Sequence, residues 1–92
     1  MLVRLLQIER SMRGGTAIAR EVYLNPSHII SVSADVVANE SLIKEATTLG
    51  LPANTSFSKI TLHEGSSSKL ITVVGSPTEV YRQIKQKQIL KG

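Results

Sequence analysis

The stretch that most constrains this chain runs from Phe57 to Glu79, where the pattern of a β-hairpin passes directly into a helix start. Phe57 to His63 alternates, with Ile60 and Leu62 on one phase and Lys59, Thr61 and His63 on the other, which predicts a half-buried strand. Glu64 to Ser68 is a polar turn carrying Gly65, and Lys69 to Val74 is a β-branched return strand. Gly75 closes the hairpin. Ser76, Pro77 and Glu79 then occupy the N-cap, first helical and N3 positions of a capping box, so a C-terminal helix is expected from Pro77 onward. Val80, Tyr81, Ile84 and Gln88 form its inner stripe, while Arg82, Lys85 and Lys87 point outward and complement the helix dipole in the last turns.

The first third of the chain is also strand-like. Residues 2 to 10 place Leu2, Leu6 and Ile8 on one phase and Val3 and Leu5 on the other, so the start of this strand is expected to be buried on both faces. Gly14-Gly15 supplies a reversal, and Ala17 to Leu24 completes a first hairpin. Asn25-Pro26-Ser27 breaks it, because proline lacks an N–H and restricts the residue before it. A third strand, Ile29 to Ala34, follows.

Residues 35 to 56 lose the alternation. A short helix is expected over Glu40 to Ala46, with Asn39 as its N-cap and Leu42, Ile43, Ala46 and Leu49 as an apolar stripe. Gly50 ends it in the left-handed conformation, Leu51 makes the accompanying apolar contact, and Ala53 to Ser56 is linker. The fold class expected from these elements is α+β: one domain over residues 1–92, a small antiparallel sheet of four to five strands, one inserted short helix and a C-terminal helix.

Ninety-two residues leave no room for a Rossmann or TIM-barrel enzyme. With no cysteine there are no disulfides, thiolate metal ligands or thiol nucleophiles. The N-terminal apolar run is cut by Arg4 before it reaches the length of a signal-peptide core, and no window is long and apolar enough for a membrane span, so a cytoplasmic location is expected. Eleven Lys and Arg against seven Asp and Glu give a net charge of +4. The excess gathers at Arg10 and Arg13 in the first hairpin and at Arg82, Lys85 and Lys87 in the last helix, the residues expected to contact an anionic partner.

Catalytic patterns are missing. His28 and His63, with Asp35 or Glu64 nearby in sequence, lack the spacing of a metal site and are expected to be solvated. No serine lies in a G-x-S-x-G elbow, and neither glycine-containing turn matches a P-loop, so neither enzymatic activity nor a cofactor is expected. Tyr23, Phe57 and Tyr81 are too few to form a base-stacking surface and are assigned to the core or its rim.

Glu21 to Ile30 with its Leu24-Asn25-Pro26 turn, Ile60 to Gly65, and Val73 to Val80 with Ile84 together resemble the FlbD/SwrD family of small motility-associated proteins. The resemblance covers most of the chain outside residues 35 to 56, which read as an insertion. Its motif residues, Asn25, Pro26, Gly65, Ser76, Pro77 and Glu79, shape turns and a helix cap. It implies a non-enzymatic accessory or regulatory protein acting on a protein partner. Homo-oligomerisation through a sheet face or edge is a further expectation, because a helix on one face leaves the other to be solvated or paired. The alternative is a basic regulator touching nucleic acid or the transcription machinery through its terminal Lys and Arg clusters, with a steep salt dependence.

Overall fold

A computed structural model describes residues 2–10, 17–42 and 45–91, with side chains as far as Gln86. In chain order the elements are β1 (Val3–Arg10), β2 (Ala17–Leu24), a 3-10 turn (Pro26–His28), β3 (Ile29–Ala34), α1 (Val36–Ser41), β4 (Phe57–Glu64), β5 (Ser67–Val74) and α2 (Pro77–Lys91). The five strands form one antiparallel sheet in the order β2-β1-β5-β4-β3, so the fold is the expected α+β arrangement.

That order puts β2 and β3 at opposite edges, yet only Asn25 to His28 joins them. In a flat sheet the outer two of five strands would stand ~19 Å apart. Register adds a lengthwise offset. Gln7, Val73 and Ser58 lie in one row, Leu24 pairs with Val3 four residues before Gln7, and Ile29 pairs with Leu62 four residues beyond Ser58. A connection coiled into a 3-10 turn cannot span that diagonal. The sheet must therefore curl until its edges approach. Its principal core lies inside the curl, where Val3, Leu5, Ile60, Ile71 and Val73 meet Val80 and Ile84 of α2, with Val22 and Leu24 from one edge and Ile29 and Val32 from the other.

The turns follow local chemistry. Asn25 Oδ1 accepts from the Ser27 N–H at 3.0 Å and from its hydroxyl at 2.8 Å, while Pro26 presets the first turn residue. Between β4 and β5 the loop is only Gly65-Ser66, shorter than the Glu64–Ser68 turn expected, because Glu64 and Ser67 already pair. Gly65 has φ +60 and no non-glycine residue among those described has positive φ, which identifies a type II′ turn. Gly14-Gly15 lies outside the described residues.

Gly75 turns the chain from β5 into α2. Its φ is +119, its N–H donates to Ser56 O at 2.8 Å, and its carbonyl accepts from the Ser58 hydroxyl at 2.7 Å. The capping box is then formed in both directions: the Glu79 N–H donates to Ser76 Oγ at 3.3 Å, and the Ser76 N–H donates to Glu79 Oε1 at 3.2 Å. Tyr81 departs from the expected inner stripe and is exposed, since among the described side chains of α2 only Val80 and Ile84 reach the core. Gln88 in that stripe falls outside the described side chains.

Residues 35 to 51 correct two expectations. The helix cap is Asp35, not Asn39, and α1 starts at Val36. Asp35 wins because its carboxylate bonds the Ala38 N–H at 3.0 Å and the Thr72 hydroxyl of β5 at 2.7 Å at once. Asn39 sits inside α1, where its Oδ1 accepts from the Phe57 N–H at 2.7 Å. The expected helix over Glu40 to Ala46 is replaced by the end of α1 and, after Ile43 and Lys44, which lie outside the described residues, by turns over 45–50. There Gly50 takes the expected left-handed conformation, although it closes a run of turns and not a helix. With φ +80 it closes a Schellman motif in which Leu51 N–H donates to Ala46 O at 2.9 Å and Gly50 N–H to Thr47 O at 3.0 Å.

This segment packs on the sheet face opposite α2, where Ala38, Leu42, Leu49 and Leu51 surround Ile8, Ala17 and Phe57. The alternating apolar phases of β1 are thereby explained within one chain: Val3 and Leu5 face the principal core, and Ile8 faces the second. Burial on both faces is thus not at the start of β1, where Leu2 and Arg4 are exposed. The sheet face opposite α2, expected to be solvated or paired, is thus covered in part by residues of the same chain.

Candidate functional site

The basic residues do not form one surface. Arg10 Nη2 lies 3.3 Å from Glu45 Oε1 beside α1, Arg20 Nη2 lies 2.8 Å from Glu9 Oε1, and Arg4 pairs with Glu21. The hydrogen bond and charge of Glu21 raise the Arg4 pKa further above its ordinary value. The first hairpin is therefore largely self-neutralised among its described residues. Arg82 and Lys85 are exposed on α2, share no cleft with Arg10, and have no ion pair among the described residues. Arg13 and the Lys87 side chain fall outside the described residues.

A small cleft of about 270 Å³ lies between α1 and the sheet, lined by Ile8, Arg10, Asp35, Leu42 and Thr72. Both Asp35 oxygens already accept hydrogen bonds that hold α1 in place, so this carboxylate serves the fold. His28 and His63 are exposed, and among the described residues no three His, Asp or Glu side chains gather into a group able to hold a metal ion.

A more substantial feature is a groove of about 540 Å³ between β3 and α2. Ile29, Ile30 and Val32 form one wall, Tyr81 and Ile84 the other, and Pro26 and Pro77 lie at its end. Ile30 is 58% exposed and Tyr81 56% exposed, large apolar surface that a satisfied core would have covered. Ile30 owes its position to a β-bulge. Ile29 pairs with Leu62 and Ser31 with the adjacent Thr61, which leaves Ile30 without a partner in the ladder. Tyr81 is on α2 one turn before Lys85, whose Nζ lies 3.5 Å from the phenol oxygen and 5.6 Å from the ring centroid.

The two sheet edges differ in chemistry. β2 carries Arg20 and Glu21, each ion-paired to β1, and such charges discourage further strand pairing. β3 reads Ile-Ile-Ser-Val-Ser-Ala and carries none. Its bulge disturbs only the first residues, and Ser31 to Ala34 pair regularly with Thr61 to Ser58, leaving the outer edge of that stretch unpaired.

No carboxylate lines the groove among the described residues. Glu79 is turned toward Arg4 and Leu6 on the other flank of α2, where its hydrogen bonds to Ser76, the backbone one foremost, hold its pKa below the ordinary glutamate range. Arg82 and Lys85, which the sequence marks as candidate contacts to an anionic partner, stand beside Tyr81 on α2. Ile30, Val32 and Tyr81 carry no such mark in the sequence beyond the absence of charge from Ile29 to Ala34. Among the described residues no helix is long and apolar enough to cross a membrane. Compared with known protein families, with curated proteins and with solved structures, the chain finds no match in any of the three.

Proposed function

We propose that this chain is a small non-enzymatic accessory or regulatory protein of the cytoplasm that works by holding a protein partner, as its resemblance to the FlbD/SwrD family implies. One observation carries the reading: an open apolar groove runs beside an uncharged sheet edge, with Ile30 and Tyr81 exposed on its two walls. Exposed apolar surface of this kind is costly to keep in water and is typical of contact sites. Nucleic-acid binding has weaker support. It needs several cations on one surface, and Arg10 is held at Glu45 on a different part of the fold from Arg82 and Lys85.

The test is a photo-reactive amino acid placed at position 81 in the native host, with the same group at Glu40 on exposed α1 as a control. The expected result is a protein adduct specific to position 81 that Ile30→Asp removes. Adducts that disappear on nuclease treatment, or the same adducts from both positions, would overturn the reading.

A further inference from the structure

We infer that the occupant of the β3–α2 groove is an extended, acidic polypeptide segment that adds to β3 as a sixth strand. This rests on the protein-contact reading above and specifies the partner's chemistry. Among the described residues, no backbone group of Ile30 to Ala34 bonds outside the β4 ladder, so the outer N–H and C=O groups of Ser31 to Ala34 are available as a template. A strand laid there projects alternate side chains over the groove. They reach the wall made by Ile30, Tyr81 and Ile84, which selects apolar residues two apart.

Charge selects the rest. Lys85 stands one helical turn beyond Tyr81 with Arg82 beside it, and no carboxylate among the described residues lines the groove; Glu79, on the other flank of α2, feels the charge of Arg82 but does not face the groove. An acidic residue two positions beyond the apolar pair meets these cations, because two strand residues advance ~6.6 Å and one helical turn ~5.4 Å. A second copy of this chain is a poorer occupant. It carries the same +4 charge, and its own β3 edge, Ile-Ile-Ser-Val-Ser-Ala, has no acidic residue to set against Lys85.

The probe is a capped nonapeptide, Thr-Glu-Thr-Val-Thr-Val-Thr-Glu-Thr, titrated into the full chain and followed by amide chemical shifts. Its counterparts replace both glutamates by lysine, both valines by threonine, or the central threonine by proline. The glutamate peptide is expected to shift the amides of Ser31 to Ala34 and of the first turns of α2. It should bind at least about tenfold more tightly than the lysine peptide and weaken several-fold between about 50 and 300 mM salt. Lys85→Glu should reverse the preference between the two peptides, and Ile30→Asp should abolish binding. Both residues are exposed, so both variants should keep the wild-type amide spectrum elsewhere.

Equal affinity for the glutamate and lysine peptides, undiminished binding of the proline peptide, or shifts on β2 in place of β3 would overturn the inference. Displacement of the peptide by a short oligouridine would assign the groove to nucleic acid. A sedimenting dimer dissolved by Ile30→Asp would assign it to a second copy. If position 81 captures a protein in the cell but no peptide binds, the occupant class is wrong and the protein-contact reading stands. Peptide binding with no cellular adduct would leave the groove's preference for an acidic strand in place and overturn the accessory role in the cell proposed above.

Discussion

Thr72 Oγ1 on β5 donates a 2.7 Å hydrogen bond to Asp35 Oδ2, while the other oxygen of the same carboxylate caps α1 at the Ala38 N–H. One side chain thus starts a helix and pins it to the centre of the sheet. Asp35→Ala removes a cap and a tertiary hydrogen bond, so a loss of about 2 kcal/mol is expected. Thr72→Val removes only the second and should cost about 1 kcal/mol. Urea unfolding of the two single variants and the double variant measures this, and the double variant should lose less than the sum.

Asn39 and Phe57 make the second attachment. Phe57 is fully buried, and its N–H has the Asn39 side chain as its acceptor at 2.7 Å. Asn39→Ala leaves that donor unpaired in a water-poor site and should cost about 1 to 3 kcal/mol. Amide exchange at Phe57 should accelerate more than exchange at Ile60, which stays in the ladder.

Gly75 is expected to resist substitution more than Gly50 does. Both have positive φ, but a Cβ on Gly75 would stand 3.3 Å from Val80 Cγ2, whereas nothing lies within 4 Å of one on Gly50. Gly50→Ala should cost about 1 to 2 kcal/mol from backbone strain alone, and Gly75→Ala more, because Val80 must also shift in the core. Asparagine at position 50 should recover part of the loss and at position 75 should not. Thermal unfolding of the four variants gives the comparison.

The capping box makes stability depend on pH in a defined direction. Folding lowers the Glu79 pKa, chiefly through its backbone hydrogen bond with Ser76. The folded state therefore binds this proton less readily than the unfolded state. The contribution is complete above the ordinary glutamate value of about 4.3 and is lost as pH falls through the lower folded value. Wild type should accordingly lead Glu79→Gln by a constant margin near neutrality, and the margin should shrink under acid. Urea midpoints across the acidic range check this, and Ser76→Ala, losing the reciprocal bond, should cost about 1 kcal/mol at neutral pH.

What could be read early shares one property: its signals lie within a few residues of what they shape. Asn25 and Pro26 make their turn with Ser27 and His28, and Ser76 exchanges hydrogen bonds with Glu79 three residues on. The cap of α1 differs from the local expectation for the complementary reason. Asn39 and Asp35 are both acceptable N-caps by residue type, and the choice fell to Asp35 because Thr72, 37 residues away, holds its other oxygen. Tyr81 leaves the inner stripe likewise. Its helical phase is near that of Ile84, but the curl of the sheet brings β3 alongside α2 and leaves a groove where the ring stands.

By itself, then, the sequence determined two hairpins, the turn at Asn25-Pro26, the left-handed turn at Gly50 and the start of α2, because backbone preference and short-range hydrogen bonds suffice for each. Only the tertiary structure decided that the sheet curls, that residues 35 to 51 cover the face opposite α2, and that Arg4, Arg10 and Arg20 are ion-paired while Arg82 and Lys85 stand beside Tyr81 at an apolar groove. Those outcomes depend on strand order and on contacts between residues tens of positions apart, and no local pattern specifies which distant partner a side chain will meet.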